Sequence, residues 1–200
     1  MMKISISTLI TGLFMMAFVI NTNAAEPLPE GASAPDFTGI DQNGNEVTLQ
    51  DQLNEGPVVM MFYRGQWCPV CNQHLETLQD SLSYIEERGA NVLAVSPEKQ
   101  ERLNETVEKT GAEFTVLWDQ NETIMEEYGV AFEPPESEVE TYNIKLDANL
   151  QEAHGGDQEQ VRLPIPATYI IDADGEILYV HHDEDYKNRA GVEDILNELD

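Results

Sequence analysis

Pro57-Val58-Val59-Met60-Met61-Phe62-Tyr63 is a continuous apolar run, with no polar residue at alternate positions. A strand built from it must be covered on both faces, so it cannot belong to a half-solvated antiparallel sheet. A helix follows: Leu75, Leu78, Leu82 and Ile85 recur at spacings of three and four, and Gly89 stops the pattern. Residues 91–95 (NVLAV) form the next apolar strand. Ser96-Pro97-Glu98 then reads as a helix start, with Ser as cap and Pro in the first turn. Buried strands joined by helices predict an α/β layer with parallel neighbours.

The rest of the chain builds around this unit. Asn43-Gly44 between residues 37–40 and 46–49 predicts an N-terminal β-hairpin. The helix opened at Ser96 should end near Gly111. Residues 114–118 (FTVLW) form a further strand, and residues 122–128 a short helix closed by Gly129. Residues 132–163 carry Pro134-Pro135, Gly155-Gly156 and many carboxylates, so they read as an irregular insertion with one strand at 140–145. Residues 168–172 and 176–181 flank Ala173-Asp174-Gly175, a second hairpin signal. Val192, Ile195, Leu196 and Leu199 give a terminal amphipathic helix.

The charge is lopsided: 10 Lys and Arg against 38 Asp and Glu, a formal net charge of −28. The basic footprint of a nucleic-acid partner is absent, and the charge works against docking on anionic membrane lipid. Carboxylates in this number read chiefly as a solvated surface that keeps the chain soluble. Hydrophobic residues at 41% are enough for a core. The 13 glycines and 10 prolines fall well short of the ~25–30% of low-complexity chains.

Residues 1–25 place Lys3 ahead of an apolar run that ends at Ile20, followed by small and polar residues. That pattern predicts a cleaved signal peptide, a single domain at 26–200, and an exported protein, periplasmic or secreted. In an oxidising compartment a lone cysteine pair can close as a disulfide.

The chain has 2 cysteines, in Trp67-Cys68-Pro69-Val70-Cys71. With no second pair and no His-rich segment, a four-ligand zinc site is not formed. Pro69 suits the first helical position, which makes Cys68 the N-cap. A thiolate there meets unpaired backbone N–H groups and the positive end of the helix dipole, which lower its pKa. Cys71 precedes Leu75 by four residues and continues the buried stripe. An activated outer sulfur and a shielded inner one are what a thiol–disulfide cycle needs. His74 reads as an exposed helix histidine with a lesser claim to a role. His154 reads as a loop residue, and His181-His182-Asp183-Glu184-Asp185 as a solvated turn.

Trp67-Cys68-Pro69-Val70-Cys71 resembles the Trp-Cys-x-x-Cys site of thioredoxin-fold oxidoreductases. Gly31-Ala32-Ser33-Ala34-Pro35-Asp36-Phe37, Phe62-Tyr63-Arg64-Gly65-Gln66, residues 115–120 with Tyr128-Gly129-Val130, residues 163–172 and residues 183–189 resemble the alkyl hydroperoxide reductase/thiol-specific antioxidant, or peroxiredoxin-like, branch. These segments spread over nearly all of 26–200. The resemblance implies a thioredoxin-like three-layer fold, with a mixed central sheet flanked by helices.

Departures from the branch bear on the site. Typical peroxiredoxins carry Pro-x-x-x-Thr/Ser-x-x-Cys. Laid without gaps, that pattern puts the peroxide-attacking cysteine at Cys71, the hydroxyl position at Cys68 and the proline position at Arg64. Pro166 stands where peroxiredoxins tend to have an active-site Arg and thioredoxins a cis-proline, which implies a cis Ile165–Pro166 bond beside the disulfide. Arg64 or Arg162 would have to replace the missing charge. Trp67 would cover the disulfide or offer a flat surface to a partner.

The resemblance thus implies a thiol-dependent peroxidase. It would reduce a hydroperoxide through a Cys68–Cys71 redox disulfide, with a thioredoxin-like electron donor and no metal or organic cofactor. The alternative is a thiol–disulfide oxidoreductase acting on protein disulfides. A more distant one is a Cu(I) metallochaperone using Cys68, Cys71 and His74.

Overall fold

The computed structural model describes residues 26–154 and 160–200. The expected signal peptide, residues 1–25, and Gly155-Gly156-Asp157 of the insertion lie outside the described residues.

The apolar run becomes β3 (Val58–Phe62) at the heart of a seven-stranded sheet. It pairs in parallel with β4 (Asn91–Ser96), which pairs in parallel with β5 (Thr115–Trp118). The N-terminal hairpin, β1 (Thr38–Asp41) and β2 (Glu46–Thr48), adds to β5 antiparallel. On the other side β8 (Ala167–Ile171) and β9 (Ile177–His182) run antiparallel, giving the order β2-β1-β5-β4-β3-β8-β9.

Helices α1 (Leu49–Leu53), α2 (Pro69–Asp80), α3 (Leu82–Glu86), α4 (Gln100–Thr110), α5 (Thr123–Glu127) and α8 (Val192–Glu198) are distributed over the two faces. Val59 and Met61 of β3 pack with Cys71, Leu75 and Leu78 of α2, Leu103 of α4 and Ile195 of α8. Val58, Met60 and Phe62 pack instead with Leu49, Ile124, Tyr128 and Tyr169. The strand alternates between two cores because successive side chains point to opposite faces. This is the expected layered α/β architecture with a mixed central sheet.

Several local expectations change. The helix read through Leu82 and Ile85 breaks at Ser81 into α2 and α3, whose N–H donates to Leu78 O at 3.1 Å. Leu49, expected at a strand end, starts α1, because Thr48 caps that helix by accepting from Asp51 N. Ser96-Pro97-Glu98 does not open a helix. Ser96 stays in β4, its hydroxyl accepts from Glu98 N at 3.2 Å, and α4 begins at Gln100.

The described residues of the insertion hold more regular structure than expected. A two-stranded sheet, β6 (Ala131–Phe132) with β7 (Leu163–Pro164), closes its base. Residues 140–145, expected as a strand, belong to helix α6 (Glu136–Leu146), and a short α7 (Leu150–Ala153) follows. Acidic Glu136 and Glu138 in the first turn and Lys145 in the last suit the helix dipole.

Candidate active site

β3 ends beside the parallel strand β4, and the chain crosses Arg64-Gly65-Gln66-Trp67 to enter α2. Cys68 is the N-cap: its backbone is extended and its Sγ accepts the Cys71 N–H at 3.3 Å. Pro69 occupies the first turn, where its missing N–H costs nothing. Cys68 and Cys71 are joined as a disulfide across that turn. Cys68 is 3% exposed and Cys71 fully buried.

The approach loop is held from below. Gln66 N donates to Glu98 Oε2 at 2.6 Å, and Gln66 O accepts from Asn72 Nδ2 at 2.8 Å and Lys109 Nζ at 3.3 Å. Glu98 is buried completely, and burial pushes its carboxyl up to about 7 despite the Gln66 N–H. Gly65 is obligatory at this approach: a Cβ there would fall 2.5 Å from Glu98 Cδ and 2.6 Å from Trp67 Nε1.

Trp67 is covered by the insertion, its ring 5.0 Å from that of Tyr142 on α6. Arg64 is 5% exposed. Its Nη1 donates to Tyr142 Oη at 3.1 Å, and its guanidinium lies over Phe132 at 5.2 Å and Tyr186 at 4.8 Å. Arg64, Tyr142, Phe132, Tyr186, Arg162 and Ile165 line an open cleft of about 1030 Å³. Arg162 is committed elsewhere, 3.4 Å from Glu126 and 3.8 Å from Glu122.

Two expectations are corrected. The Ile165–Pro166 peptide is trans, as is every described peptide bond. Ile165 N donates to Val130 O at 2.8 Å beside the β6–β7 pair, and Ala167 already pairs with Phe62. The backbone is therefore held extended on both sides of Pro166, which a trans bond supplies, and the cis-proline wall drops out of the site. His74 is not an exposed helix histidine. It is 7% exposed on the buried face of α2, and its Nε2–H donates to Ala190 O at 3.2 Å. Burial, aided by the charge of Arg189, pushes it down to about 4, so it is neutral at pH 7.

The turn after β9 starts only at Asp183, which accepts from Asp185 N and Asn188 Nδ2 at 2.8 and 2.6 Å; His181 and His182, expected in that turn, are the half-buried last residues of β9, paired with Thr168 and Ala167 of β8. His154 is buried rather than in an open loop, with Nδ1 3.6 Å from Glu122 Oε1. Among the described residues no three His, Cys, Asp or Glu side chains gather closely enough to hold a metal ion.

Sequence reasoning missed two residues of the site, Arg189 at the sulfur of Cys71 and Glu98 beneath the approach loop. Arg189, from the segment between β9 and α8, donates through Nη2 to Cys71 Sγ at 3.5 Å, and its Nε donates to Tyr186 O at 2.7 Å. It lies 118 positions after Cys71, a separation no local pattern bridges. The resemblance of residues 183–189 was the one available signal. Glu98 was hidden by reading its segment as a helix start.

Comparison with known proteins agrees with this geometry. The chain is 29% identical over 173 residues to peroxiredoxin Bcp of Escherichia coli, covering 86% of this chain and 96% of that one. It is 26% identical over 155 residues to the chloroplastic peroxiredoxin Q of Oryza sativa subsp. japonica, covering 78% and 59%. The crystal structure of peroxidoxin BcpB from Mycobacterium tuberculosis shares the fold, with a TM-score of 0.65 at 20% identity over 85% of this chain and 95% of that one. Residues 31–180 match the model of the AhpC/TSA family, and with this sheet, these flanking helices and a dithiol site at the head of α2, the chain belongs to that family.

Proposed function

We propose that the protein is a thiol peroxidase that reduces hydroperoxides through the Cys68–Cys71 pair. The observation that carries the reading is the disulfide closed across the first turn of α2 within an AhpC/TSA body. One thiolate attacks a peroxide oxygen: an S–O bond forms, the O–O bond breaks, and the departing alkoxide or hydroxide takes a proton from solvent. The second thiol attacks the sulfenic sulfur, closing the disulfide and releasing water. Two electrons pass from the dithiol to the peroxide. A thioredoxin-like dithiol donor restores the pair by exchange.

The protein's part is positioning and electrostatics. At the helix N-terminus the Cys71 backbone N–H donates to Cys68 Sγ, and the Arg64 guanidinium, four residues before Cys68, lies on the wall of the cleft. Pro69 between the cysteines also supports a second reading, exchange with protein disulfides without a peroxide step. In the same reading residues 1–25 direct export. N-terminal sequencing of the protein from fractionated cells checks that, and a retained Met1 in the cytoplasmic fraction would overturn it.

The test of function is peroxide consumption with a thioredoxin-type donor. The wild type should turn over, while Cys68→Ser and Cys71→Ser should each stop donor-coupled turnover. Rapid exchange on protein disulfides with no peroxide consumption would transfer the assignment to the second reading.

A further inference from the structure

Two buried polar atoms meet over Gly65, and among the described residues nothing satisfies either. Glu98 is fully buried: its Oε2 accepts the Gln66 N–H at 2.6 Å, while its Oε1 has no hydrogen-bond partner. Trp67 is also buried, and its Nε1–H has no partner either. Both atoms converge on one point, since a Cβ built on Gly65 would lie 2.7 Å from Glu98 Oε1 and 2.6 Å from Trp67 Nε1. The indole offers a donor, and an ionised carboxyl offers an acceptor. Leaving that bond unmade inside the protein costs free energy that a small movement of the indole would recover.

The proton on Glu98 decides whether the bond forms. With Oε2 taken by the Gln66 N–H, a neutral carboxyl carries its proton on Oε1, so two donors oppose each other. The indole then stays away from Glu98 and on Tyr142, which is the arrangement seen, with Cys68 covered. Ionisation turns Oε1 into a charged acceptor, and the donor that faces it is Trp67 Nε1–H. Burial pushes the carboxyl up to about 7.

The other groups around Glu98 are engaged elsewhere. On α4, Arg102 and Lys109 favour the ionised form and Glu105 opposes it. Arg102 is paired with Glu105 at 3.2 Å, and Lys109 donates to the Gln66 side chain and carbonyl. On β3, the Tyr63 hydroxyl is kept neutral by burial and donates to Thr106 Oγ1 at 3.2 Å. On β4, Ser96 Oγ accepts the Glu98 backbone N–H.

We infer that Glu98 is a positioning residue that controls access to the disulfide through Trp67: in its charged form it draws the indole N–H onto Oε1, takes the ring off Tyr142 and uncovers Cys68 to an incoming thiol. Helix α6 buries no residue fully and touches the site through Tyr142, so loss of the stack also frees the cover above Cys68. The inference rests on the reading of Cys68–Cys71 as a redox pair and not on peroxide as its oxidant. It concerns the reducing half of the cycle. There a donor thiolate bonds to Cys68 Sγ, the Cys68–Cys71 bond breaks, and Cys71 leaves with the electron pair and takes up a proton. The donor's second thiol then displaces Cys68, so the donor ends as a disulfide and the protein as a dithiol.

The experiment uses the full-length oxidised protein with dithiothreitol as the probe. Opening of the disulfide is timed from about pH 6 to about pH 8, around the raised carboxyl value. Each wild-type rate is divided by that of a variant at the same pH, which cancels the ionisation of the reagent. Glu98→Gln gives Gln66 N its acceptor and turns an NH2 toward Trp67, a permanent stand-in for the protonated acid. Trp67→Phe keeps an aromatic ring beside Tyr142 but has no N–H. Both ratios should rise about tenfold across the range, with a midpoint near 7, as one hydrogen bond to a charged group replaces none. In a Trp118→Phe background, acrylamide quenching of Trp67 should change with the same midpoint, and Glu98→Gln should abolish that change. A ratio to Trp67→Phe that stays flat with pH would overturn the inference, as would quenching that still titrates in Glu98→Gln. Where circular dichroism shows that Glu98→Gln fails to fold, the ratio to Trp67→Phe decides alone. None of these measurements uses peroxide, so a wild type that consumes none would remove the peroxidase reading and leave this result standing.

Discussion

Arg64 is the residue at which stability and chemistry are hardest to separate. Its guanidinium stacks on Phe132, Tyr142 and Tyr186 and donates to Tyr142 Oη, so truncation removes packing as well as charge. Arg64→Ala should lower peroxide turnover at least tenfold, about 1.4 kcal/mol of barrier. Exchange with a model disulfide should fall much less, because that reaction develops no charge on a peroxide oxygen. Equal losses in the two assays would show that Arg64 supports the loop or the thiolate instead. The cysteines, the cap and Arg64 were legible in sequence because each follows from neighbours within one strand–helix step. Pro166 misled because its geometry is set by β6 and β8, which pair with distant segments. His74 misled because the carbonyl that buries it belongs to Ala190, beyond the reach of helix periodicity.

At the scale of elements, α6 contrasts with α2. Helix α2 buries Cys71, His74, Leu75 and Leu78, whereas no residue of α6 is fully buried and Ile144 is exposed. Helix α6 is fastened to the site chiefly through Tyr142, which stacks on Trp67 and accepts from Arg64, and at its far end through Asn143 Oδ1, which accepts from Leu150 N at 2.9 Å. Tyr142→Ala should speed amide exchange across α6 by a clear margin while leaving α2 protected, since α6 draws little from the core. Tyr142→Phe keeps the stack and loses two hydrogen bonds, one from Arg64 and one to Glu138, each worth about 0.5–1.5 kcal/mol, so it should fall between. Uniform loss of protection in both helices would mean that α6 is part of the cooperative core. The weak apolar patterning of α6 explains why sequence reading took its middle for a strand. The strong stripe of α2 explains why that helix was found, and only its break at Ser81 was not.

For the whole molecule, the net charge of −28 and a set of buried ionisable groups determine how stability responds to solution conditions. Burial raises Glu98 to about 7 and Asp119 to about 6, although Ile124 N and Met125 N oppose the shift at Asp119. Between each ordinary value and its raised value the folded chain holds a proton that the unfolded chain has released, so both groups make stability fall as pH rises. His74, lowered to about 4, acts the other way between about 4 and 6.5. It cancels one of the two carboxyls over most of that window. Asp41, which its hydrogen bonds from Asn43 and Asn45 hold low against burial, matters only below pH 4. The balance is a loss of stability from pH 5 to pH 8, on the order of one kcal/mol or more, which is a few degrees of Tm for a chain this long. Salt should recover part of it by screening the carboxylates. Glu98→Gln, which keeps an acceptor for Gln66 N, should narrow the gap between the two pH values. A Tm that rises from pH 5 to pH 8 would contradict the burial of Glu98.

The match to the AhpC/TSA family spans residues 31–180, and Arg189 lies nine positions beyond its end. The matched segment already contains the whole seven-stranded sheet but for the last residues of β9, together with both cysteines. The guanidinium at the sulfur is therefore supplied by chain that follows the matched segment. A fragment ended at residue 180 would keep both cysteines and most of the sheet, yet it would carry the dithiol without the cation beside it.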